Sequence, residues 1–538
     1  MNKRLPAIIL TGASGFVGRN FLDSIKNKYK IYAIARRSRL QADVPYHPNI
    51  QWVQCDVANW SAVEEVMYYI EKQGGADFII HLAGYYDFDY KDRPEYKRTN
   101  VNGTKNFLEL AKYLKIQRFI FASSLAACSF PSKGELINEK SPADADFEYA
   151  RSKKEGEEML KDYSRFFPCS VVRFAAVYSD WCEYAPLYKF LVTWLNKNWN
   201  SKILGGKGES AVSYIHTHDL NRLLLAIINK SNTLRRFDIY NASPTGSTSH
   251  KELYRLATLY YFGQANKYFL APKIVAKLGV YIRAFLGEIG IIKKPFERPW
   301  MIKYIDLKLH ISSEYTQYEL SWSPTPRYDI SRRLLFVLEK MKAHYNEWII
   351  KNEAALKHPI NRPNYLIYEH LIKRKDDLLY HLYDYIFNHD DLNKFSNYRR
   401  MDKEDFQTLS SNLYHLLLAS VRSGDKSLMI DYIEDIALQR FAEGFEAKEI
   451  CDLLSIALNI VIEDLNSDNT LKKYQQDIYD NVSLTIQLAQ DEIEDTYENL
   501  EEKLSDEKIS KLASIQEQRK RKEMIKQLSS FYQENPSG

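Results

Sequence analysis

A short apolar run that leads through three spaced glycines into a helical pattern constrains the fold of this chain most strongly. Residues 7–10 are apolar, and TGASGFVG (11–18) places Gly12, Gly15 and Gly18 just before a helical periodicity. A first glycine permits a tight turn, a second lets backbone approach a pyrophosphate, and a third allows close helix packing. The helix N-terminus adds N–H donors and a positive dipole end. The segment therefore predicts a strand, a turn and a helix that bind a dinucleotide.

Further strand-like runs follow the glycine segment at intervals that leave room for helices. They lie at 30–35, 50–54, 78–82, 118–122 and 170–174, with helical segments between them. Such alternation predicts a parallel, doubly wound sheet with helices on both faces. We therefore expect an α/β fold of the Rossmann type in the first part of the chain.

Two arginines follow the second predicted strand, where NAD-selective sites usually place an acidic residue. They are Arg36 and Arg37, in IYAIARRSR. Guanidinium groups suit the 2′-phosphate of NADP because they can bind it through two parallel hydrogen bonds. The pair favours NADP(H) as the cofactor, with two solvent-facing loop arginines as the alternative.

A tyrosine and a lysine stand four residues apart in FEYARSKKEGEE (147–158). Four residues make about one helical turn, so Tyr149 and Lys153 would share a face with Cβ atoms roughly 5–6 Å apart. A cation within about 4–6 Å favours the phenolate, so the pair could act as an acid and base nearer neutral pH. Chance is the alternative, because the chain contains 39 tyrosines.

Nine short motifs follow one another along the first part of the chain. They are TGASGFVG (11–18), CDV (55–57), HLAG (81–84), NVNGT (100–104), FIFASSLAA (119–127), EYARSK (148–153), RFAAVY (173–178), YIHTHDL (214–220) and PTPRYDISRRL (324–334). In this order and spacing they resemble the extended short-chain dehydrogenase/reductase superfamily, also called the NAD-dependent epimerase/dehydratase superfamily. The segment that begins at HLAG is most similar to the branch with dihydroflavonol-reductase-like, 3β-hydroxysteroid-dehydrogenase-like and hopanoid-associated sugar-epimerase-like proteins. The resemblance implies an NAD(P)-binding Rossmann domain over 1–345, with a small substrate subdomain mainly in 175–330.

The resemblance implies a catalytic set of Ser124, Tyr149 and Lys153, with Ser124 preferred over Ser123 because it ends the serine run. Tyr149 would exchange a proton with the substrate oxygen, while Lys153 would lower the phenol pKa and bind the nicotinamide ribose. The cofactor-binding residues that it implies are Thr11, Gly12, Ser14, Gly15, Phe16, Val17, Gly18, Arg36, Arg37, Asp56, Val57, Leu82, Ala83, Gly84, Asn100, Tyr149 and Lys153.

Individual roles follow from the same resemblance. Asp56 would bond the adenine amine with Val57 beside it, and residues 83–84 would run behind the nicotinamide ribose. Asn100 would steady an active-site water or a backbone contact. His216 and Asp219 are expected to pack or cap rather than to catalyse.

The expected reaction class depends on the residues beside the predicted hydroxyl. Dehydratases of the family carry an Asp-Glu pair there, whereas this chain has Leu125 and Ala126, which disfavours dehydration. We therefore expect an NADP(H)-dependent oxidoreductase that interconverts a carbonyl and a hydroxyl on a small organic, sugar or lipid-like substrate. A nucleotide-sugar epimerase with tightly held NAD stays an alternative. Three aromatic residues would border the substrate or else pack in the core: Tyr85, Tyr86 and Phe88.

Composition excludes several other function classes. The net charge is only +4 with nearly balanced acids and bases, which gives no reason to expect a nucleic-acid partner. Five widely spaced cysteines without C-x-x-C indicate free thiols in a reducing compartment. Because the N-terminal apolar run is too short for a signal peptide, we expect a cytoplasmic protein. His216 and His218 lack further ligands at familiar spacing, so no metal site is expected.

The most lipid-like stretch of the chain is 268–292, which four charged residues interrupt. It cannot comfortably span a bilayer. Its pattern predicts an amphipathic helix packed on the domain, with a peripheral membrane helix or a lid as the alternative.

Beyond about residue 345 the chain becomes charged, tyrosine-rich and helical in pattern. We expect a boundary at 357–363, a helical bundle over 365–490 and a charged helical tail over 491–538. One apolar helix face recurs at Ile450, Leu453, Leu454, Ala457, Leu458, Val461 and Ile462.

The bundle faintly resembles, through QRFAEGFEAKEICDLL (439–454), the N-terminal helical domains of RsbR-type stress-signalling proteins and of some sensor kinases. That resemblance implies a regulatory or partner-docking role, with a purely structural packing role or oligomerisation as the alternative. An NADP(H)-sensing regulator that signals through this part therefore remains a second functional class. In the tail, Ile493, Tyr497, Leu500 and Leu504 suggest a short coiled coil or a solvated helix. The superfamily resemblance also implies a homodimer.

Overall fold

The computed structural model describes residues 5–503 except 40, 43, 88–91, 291–294, 357–362, 389–393 and 424. The chain divides into two compact units. The first unit comprises Met1–Arg36 and Val44–His358, and the second comprises Arg37–Asp43 and Pro359–Gly538. The predicted boundary at 357–363 lies almost wholly outside the described residues.

A parallel sheet forms the centre of the first unit. Its seven described strands run in the order β11-β6-β5-β4-β1-β2-β3, and each neighbouring pair is parallel. The strands of the described residues are β1 (Ala7–Thr11), β2 (Lys30–Ala35), β3 (Ile50–Gln54), β4 (Phe78–His81), β5 (Arg118–Ser124), β6 (Cys169–Phe174), β7 (Ala176–Tyr178), β8 (Ile203–Gly205), β9 (Ala211–Val212), β10 (Tyr214–His216), β11 (Phe237–Ala242), β12 (Thr248–Ser249) and β13 (Phe269–Ala271). The strand order reverses between β1 and β4, and in doubly wound sheets ligands bind at the carboxyl ends of the strands beside such a point.

The predicted doubly wound α/β fold is confirmed, and all six predicted strands occur. The seventh strand, β11, was not predicted. Its first three residues are only partly buried, and it lies at the edge of the sheet, where it pairs with β6.

Helices cover the sheet and build a smaller subdomain. They are α1 (Phe16–Ile25), α2 (Trp60–Lys72), α3 (Gly103–Ala111), α4 (Glu148–Tyr163), α5 (Ala185–Trp194), α6 (Thr217–Asn229), α7 (His250–Phe262), α8 (Lys273–Glu288), α9 (Glu314–Leu320), α10 (Ile330–Ala343) and α11 (Tyr345–Leu356). A π-helical turn, Tyr96–Asn102, precedes α3, and a 3₁₀ turn, Leu125–Ala127, follows β5. One hydrophobic cluster lies between the sheet and α2, α3 and α4, and another joins α5, α7 and α10.

Helix α8 corrects one prediction from the sequence. A helix forms over Lys273–Glu288 as expected, whereas residues 269–271 form β13, and most of the large apolar side chains of the helix are exposed instead of packed on the domain. The helix is attached through small residues, such as the buried Gly287, so most of its large side chains point away from the unit. Residues 291–292 of the predicted segment lie outside the described residues.

The second unit is helical throughout its described part beyond residue 362. Its helices are α12 (Pro363–Asn388), α13 (Ser396–Arg400), α14 (Lys403–Ser423), α15 (Ser427–Ala442), α16 (Ala447–Ser467), α17 (Gln475–Ile478) and α18 (Leu484–Lys503). The apolar face predicted on α16 turns inward, since Ile450, Leu453, Leu454 and Val461 are buried in one core. The predicted all-helical architecture is confirmed. Of the predicted tail, residues 491–503 belong to α18, where Ile493 and Tyr497 are buried in the same core. Leu504 and the residues after it lie outside the described residues.

Candidate active site

Three glycines shape the turn between β1 and α1 at the carboxyl edge of the sheet. Gly12 has a φ of +70°, and a Cβ there would stand 2.7 Å from the backbone nitrogen of Ala83. A Cβ on Gly18 would overlap the carbonyl oxygen of Gly12. Gly15 donates its N–H to that same carbonyl at 2.9 Å and directly precedes α1. The turn therefore requires glycine at Gly12 and Gly18. The other predicted cofactor residues of this segment are half-buried: Ser14, Phe16 and Val17.

A buried histidine, His81, joins this turn to the rest of the site, and sequence reasoning did not assign it. Its Nδ1 lies 3.0 Å from Thr11 Oγ1, and its Nε2 lies 3.2 Å from Thr104 Oγ1. Burial, aided by the charge of Lys153, lowers the pKa of His81 to about 3, so the ring is neutral. Thr11 also accepts the N–H of Ala83 at 3.1 Å. Thr11 thus positions the 82–84 loop. The signal for His81 was its place at the end of a buried strand.

Ser124, Tyr149 and Lys153 meet at the same edge. Ser124 ends β5 and Tyr149 lies in the first turn of α4, with the serine hydroxyl close enough to the phenol to lower the pKa of Tyr149. Lys153, one turn further along α4, donates from Nζ to the carbonyl oxygen of Ala122 at 2.8 Å. The Nζ atom lies 5.7 Å from the centroid of the Tyr149 ring. A Cβ on Gly84, in the loop after β4, would stand 3.3 Å from Nζ.

The two adjacent serines have different partners. Ser123 donates to Glu157 Oε1 at 2.6 Å, and Glu157 also receives two hydrogen bonds from Arg173. Ser124 accepts the N–H of Ala126 at 3.2 Å and faces Tyr149. The structure therefore places Ser124, rather than Ser123, beside the phenol, because successive side chains of a strand point to opposite faces.

The acid–base behaviour expected for the Tyr149–Lys153 pair needs correction. Burial raises the pKa of Tyr149 to about 12, and the neighbouring Ser124 hydroxyl opposes that rise only in part. Burial lowers the pKa of Lys153 to about 8, against the opposing charge of Glu157. In this structure the phenol is therefore not poised near neutral pH, since removal from water disfavours the charged form of both groups.

Asn100 holds the loop after β4 against α4. Its Oδ1 accepts the N–H of Tyr85 at 2.6 Å, and its Nδ2 donates to the carbonyl oxygen of Tyr85 and to Ser152 Oγ, both at 2.9 Å. Ser152 in turn donates to the carbonyl oxygen of Tyr149 at 2.8 Å. Asn100 therefore makes the backbone contact that the resemblance allowed. Ser152 is a link that sequence reasoning missed.

The aromatic residues expected to border the substrate lie in different environments. Tyr86 is half-buried, with its ring centroid 4.5 Å from that of Tyr149. Tyr85 is buried and donates to Asp87 Oδ2 at 2.5 Å, so it packs in the core. Phe88 lies outside the described residues. Tyr86 is therefore the one of the described pair placed beside the candidate catalytic phenol.

Tyr184, which directly precedes α5, was not predicted in the site. Burial raises the pKa of Tyr184, and the charge of an ionised Tyr149 would add to that rise. Its ring also meets Tyr214 edge-on at 6.0 Å between centroids. Tyr184 comes from the substrate subdomain, and no local motif pointed to it.

Asp56 and Val57 follow β3 at the predicted adenine end. The Asp56 side chain is 2% exposed, accepts from Arg98 Nη2 at 2.7 Å and accepts the N–H of Ala58 at 3.0 Å. The Val57 carbonyl oxygen accepts from Asn106 Nδ2 at 3.0 Å. Arg98 therefore covers the carboxylate, and the adenine contact of Asp56 stays a prediction.

Arg36 and Arg37 follow the last residue of β2, Ala35. Both side chains are half-buried. The carbonyl oxygen of Arg36 accepts from Gln54 Nε2 at 3.0 Å, which ties this loop to β3. Arg36 belongs to the first compact unit and Arg37 to the second.

His216 and Asp219 have structural partners. His216 Nδ1 accepts the N–H of His218 at 3.1 Å at the start of α6. Asp219 accepts the N–H and the hydroxyl of Thr325 at 2.8 and 2.7 Å. The expected capping and packing are thus seen for both residues.

Three further features bear on the kind of site that the chain carries. Among the residues that the structure describes, no group of three or more His, Cys, Asp or Glu could hold a metal ion. All five cysteines lie in the described part and none is in a disulfide, as expected. No helix within the described ranges is long and apolar enough to cross a membrane.

The residues at the switch point fit a nicotinamide dinucleotide. Side chains at Gly12 and Gly18 would fill or distort the turn, and the N-terminus of α1 offers donors to a pyrophosphate. Together, the reversal of strand order, the glycine turn and the Ser124–Tyr149–Lys153 grouping define an enzyme of the extended short-chain dehydrogenase/reductase type. Residues 8–243 match the model of the NAD dependent epimerase/dehydratase family.

Individual relatives differ in how much of each chain is shared. The chain is 25% identical to a putative UDP-glucose 4-epimerase of Methanocaldococcus jannaschii over 46% of this chain and 80% of that protein. It is 30% identical to a putative dihydroflavonol 4-reductase of Synechocystis sp. over 24% of this chain and 36% of that protein. A structure of UDP-glucose 4-epimerase from Thermotoga maritima is similar with a TM-score of 0.49 and 17% identity, covering 63% of this chain and 99% of that one.

Proposed function

We propose that the protein is an NADP(H)-dependent oxidoreductase that interconverts a carbonyl and a hydroxyl on a small organic, sugar or lipid-like substrate. The observation that carries the proposal is the meeting of Ser124, Tyr149 and Lys153 beside the glycine turn. The bound cofactor would supply or accept a hydride at its nicotinamide ring. Gly12, Gly15 and Gly18 would hold its pyrophosphate, and residues 82–84 would run behind its nicotinamide ribose.

The roles of the three side chains follow from their positions. Ser124 would donate a hydrogen bond to the substrate oxygen and so orient it. Tyr149 would give its phenolic proton to that oxygen during reduction, or take the proton back during oxidation. Lys153 would bind the ribose and place a positive charge beside the phenol. Burial raises the pKa of Tyr149 to about 12, so the phenol is protonated at neutral pH and can donate its proton to the substrate oxygen in the reductive direction.

The first test is Tyr149→Phe in the full chain, with a panel of ketones and aldehydes and NADPH oxidation followed by absorbance. We expect turnover to fall about 10³-fold because the proton donor is lost. The affinity for NADPH should stay within about threefold, since phenylalanine fills the same space. Tyr163→Phe, at the far end of α4, is the matched control and should keep its turnover. Retained turnover in Tyr149→Phe would refute the proposed role.

The choice of NADP(H) rests on Arg36 and Arg37 and on the absence of an acid directly after β2. We expect calorimetric titration to show a preference for NADP⁺ over NAD⁺ of at least tenfold, about 1.4 kcal/mol. Arg36→Ala should remove most of this preference by weakening NADP⁺ alone, because it deletes a phosphate partner. Arg165→Ala, an exposed arginine beyond the C-terminus of α4, is the control. Equal affinities in the unmodified protein would contradict the choice.

A nucleotide-sugar epimerase with tightly held NAD is the second candidate. It is favoured by the relative named as a putative UDP-glucose 4-epimerase, of which this chain covers 80%. NAD that copurifies with the protein, together with interconversion of UDP-glucose and UDP-galactose, would replace the first proposal. Dehydration is disfavoured, because Leu125 and Ala126 offer no acid or base after Ser124.

A further inference from the structure

One face of α8 carries large apolar side chains that remain exposed, and we call this face the α8 stripe. At 3.6 residues per turn its members lie within about one third of the helix circumference. Their exposed fractions run from 50% to 83%, whereas a surface helix normally turns its apolar side inward. The stripe consists of Ile274, Val275, Leu278, Tyr281, Ile282, Phe285 and Ile289.

The opposite face of α8 attaches the helix to its unit through small groups and through the half-buried side chains of Val280 and Leu286. Gly287 is buried, and Ala276 lies against Gly205 of β8. Arg283 forms an ion pair with Glu297, with 3.4 Å between Nη1 and Oε2. The orientation of the helix is therefore set by contacts on this opposite face. The outward position of the stripe is a property of this packing.

The stripe continues into β13, which precedes α8 and pairs with β8. Phe269 is 69% exposed and Leu270 is 48% exposed. A contiguous exposed apolar area of this kind marks an interaction surface in soluble proteins. The exposed apolar side chains belong to a helix and to the short strand that directly precedes it in the chain, and Phe269 and Leu270 point to opposite sides of that strand.

The charges around the stripe indicate what it contacts. Lys267, Lys273 and Lys277 are exposed, and within the described residues neither Lys273 nor Lys277 forms an ion pair. From 267 to 290 four basic residues face a single acid, Glu288. An apolar face with basic margins is typical of helices that lie in the plane of a membrane interface, where lysines extend toward anionic headgroups. Two copies of this face would each bring net positive charge to their contact.

We propose that the α8 stripe, with Phe269 and Leu270, docks the protein peripherally on a bilayer surface that contains anionic lipid. The helix lies in the interface plane with its apolar side chains among the acyl chains near the headgroups. Lys273 and Lys277 contact the lipid phosphates. The docking is separate from the hydride chemistry and does not require its substrate.

The test is flotation of the full-chain protein with vesicles of phosphatidylcholine alone or of phosphatidylcholine containing about one third phosphatidylglycerol. We expect strong binding to the anionic vesicles that weakens as salt is raised, because part of the attraction is electrostatic. The double variant Leu278→Glu with Phe285→Glu should bind at least tenfold more weakly. Lys273→Gln and Lys277→Gln should each lose about fivefold on anionic vesicles.

Tyr318→Glu is the matched control, since Tyr318 on α9 is 82% exposed and lies outside the stripe. It should bind as the unmodified protein does, and all variants should keep the same melting temperature because the changed side chains are exposed. Failure of the unmodified protein to bind anionic vesicles would overturn the proposal. So would a stripe variant that binds normally. Light scattering that shows a dimer turned into a monomer by the stripe variant would assign the stripe to a second copy instead.

Discussion

At the scale of single residues, removal from water governs the two titratable groups of the candidate site. Lys153 is 5% exposed, and its Nζ has the carbonyl oxygen of Ala122 as a partner rather than a carboxylate. Its pKa is therefore lowered from 10.5 to about 8. A buried ammonium without a direct ion pair costs stability, so Lys153 lowers the free energy of unfolding of the protein.

We predict that Lys153→Met stabilises the protein at pH 7 while it abolishes turnover. The depressed pKa corresponds to about 3 kcal/mol, and the carbonyl left without its donor returns about 1 kcal/mol. The free energy of unfolding should thus rise by about 2 kcal/mol. Between pH 8 and 10.5 the unfolded chain binds more protons at this site than the native protein does. The stability of the unmodified protein should therefore rise with pH, and the advantage of the variant should shrink.

Chemical denaturation of both proteins between pH 7 and 10 measures the effect. Lys154→Met is the control, because Lys154 is exposed and its nearest acid, Glu158, is 3.9 Å away. That variant should differ from the unmodified protein by less than about 0.5 kcal/mol at each pH. A Lys153→Met protein less stable than the unmodified one at pH 7 would contradict the interpretation.

At the scale of elements, a buried ion pair joins α4 to β6 behind the candidate site. Arg173 donates from Nε and Nη2 to the two carboxylate oxygens of Glu157 at 2.9 and 2.7 Å. Arg173 Nη1 donates to the carbonyl oxygen of Ser141, and Ser123 on β5 donates to Glu157. With side chains 2% and 7% exposed, the pair is satisfied by this network. It fixes the helix that carries Tyr149 and Lys153 to two strands of the sheet.

We predict that Arg173→Met costs about 3–5 kcal/mol of stability, because it leaves the Glu157 carboxylate buried without its partner. The double variant Arg173→Met with Glu157→Met should recover more than half of that loss, since neither charge is then buried. Urea denaturation of the two variants measures both values. Strictly additive losses, or a single-variant cost below about 1 kcal/mol, would show that the pair does not anchor α4.

At the scale of the whole molecule, one chain contains the first unit, which carries the candidate active site, and a second, helical unit. The helical unit has its own core, built from α12, α14, α15, α16 and α18. If the protein is an oxidoreductase, cofactor binding should change hydrogen exchange in the first unit alone. If it is an NADP(H) sensor, the helical unit must respond as well.

We predict that saturating NADPH slows amide hydrogen exchange around 11–18 and 148–153 and leaves the helical segment 363–503 unchanged. Binding stabilises the states that hold the ligand, so protection should concentrate at the contacts. Exchange followed by mass spectrometry, with and without NADPH, measures this. A change throughout the helical segment that persists in Tyr149→Phe would favour the sensor instead.

The features that could be predicted from the sequence depend on local pattern. Six strands of the sheet are short apolar runs, the glycine turn is a matter of backbone freedom, and the Tyr149–Lys153 spacing is one helical turn. Each is determined by residues within a few positions of one another. The choice of Ser124 over Ser123 came from resemblance, and strand alternation gives it a physical basis.

The features that could not be predicted from the sequence depend on residues far apart in the chain. The strand β11 pairs with β6 at the edge of the sheet, and His81 belongs to the site because Thr11 and Thr104 reach it. The pKa of Tyr149 was expected to fall and instead rises, since the degree of burial is set by the whole fold. The outward face of α8 has the same origin. Periodicity shows that a helix has an apolar side, but packing determines whether that side meets a core or water.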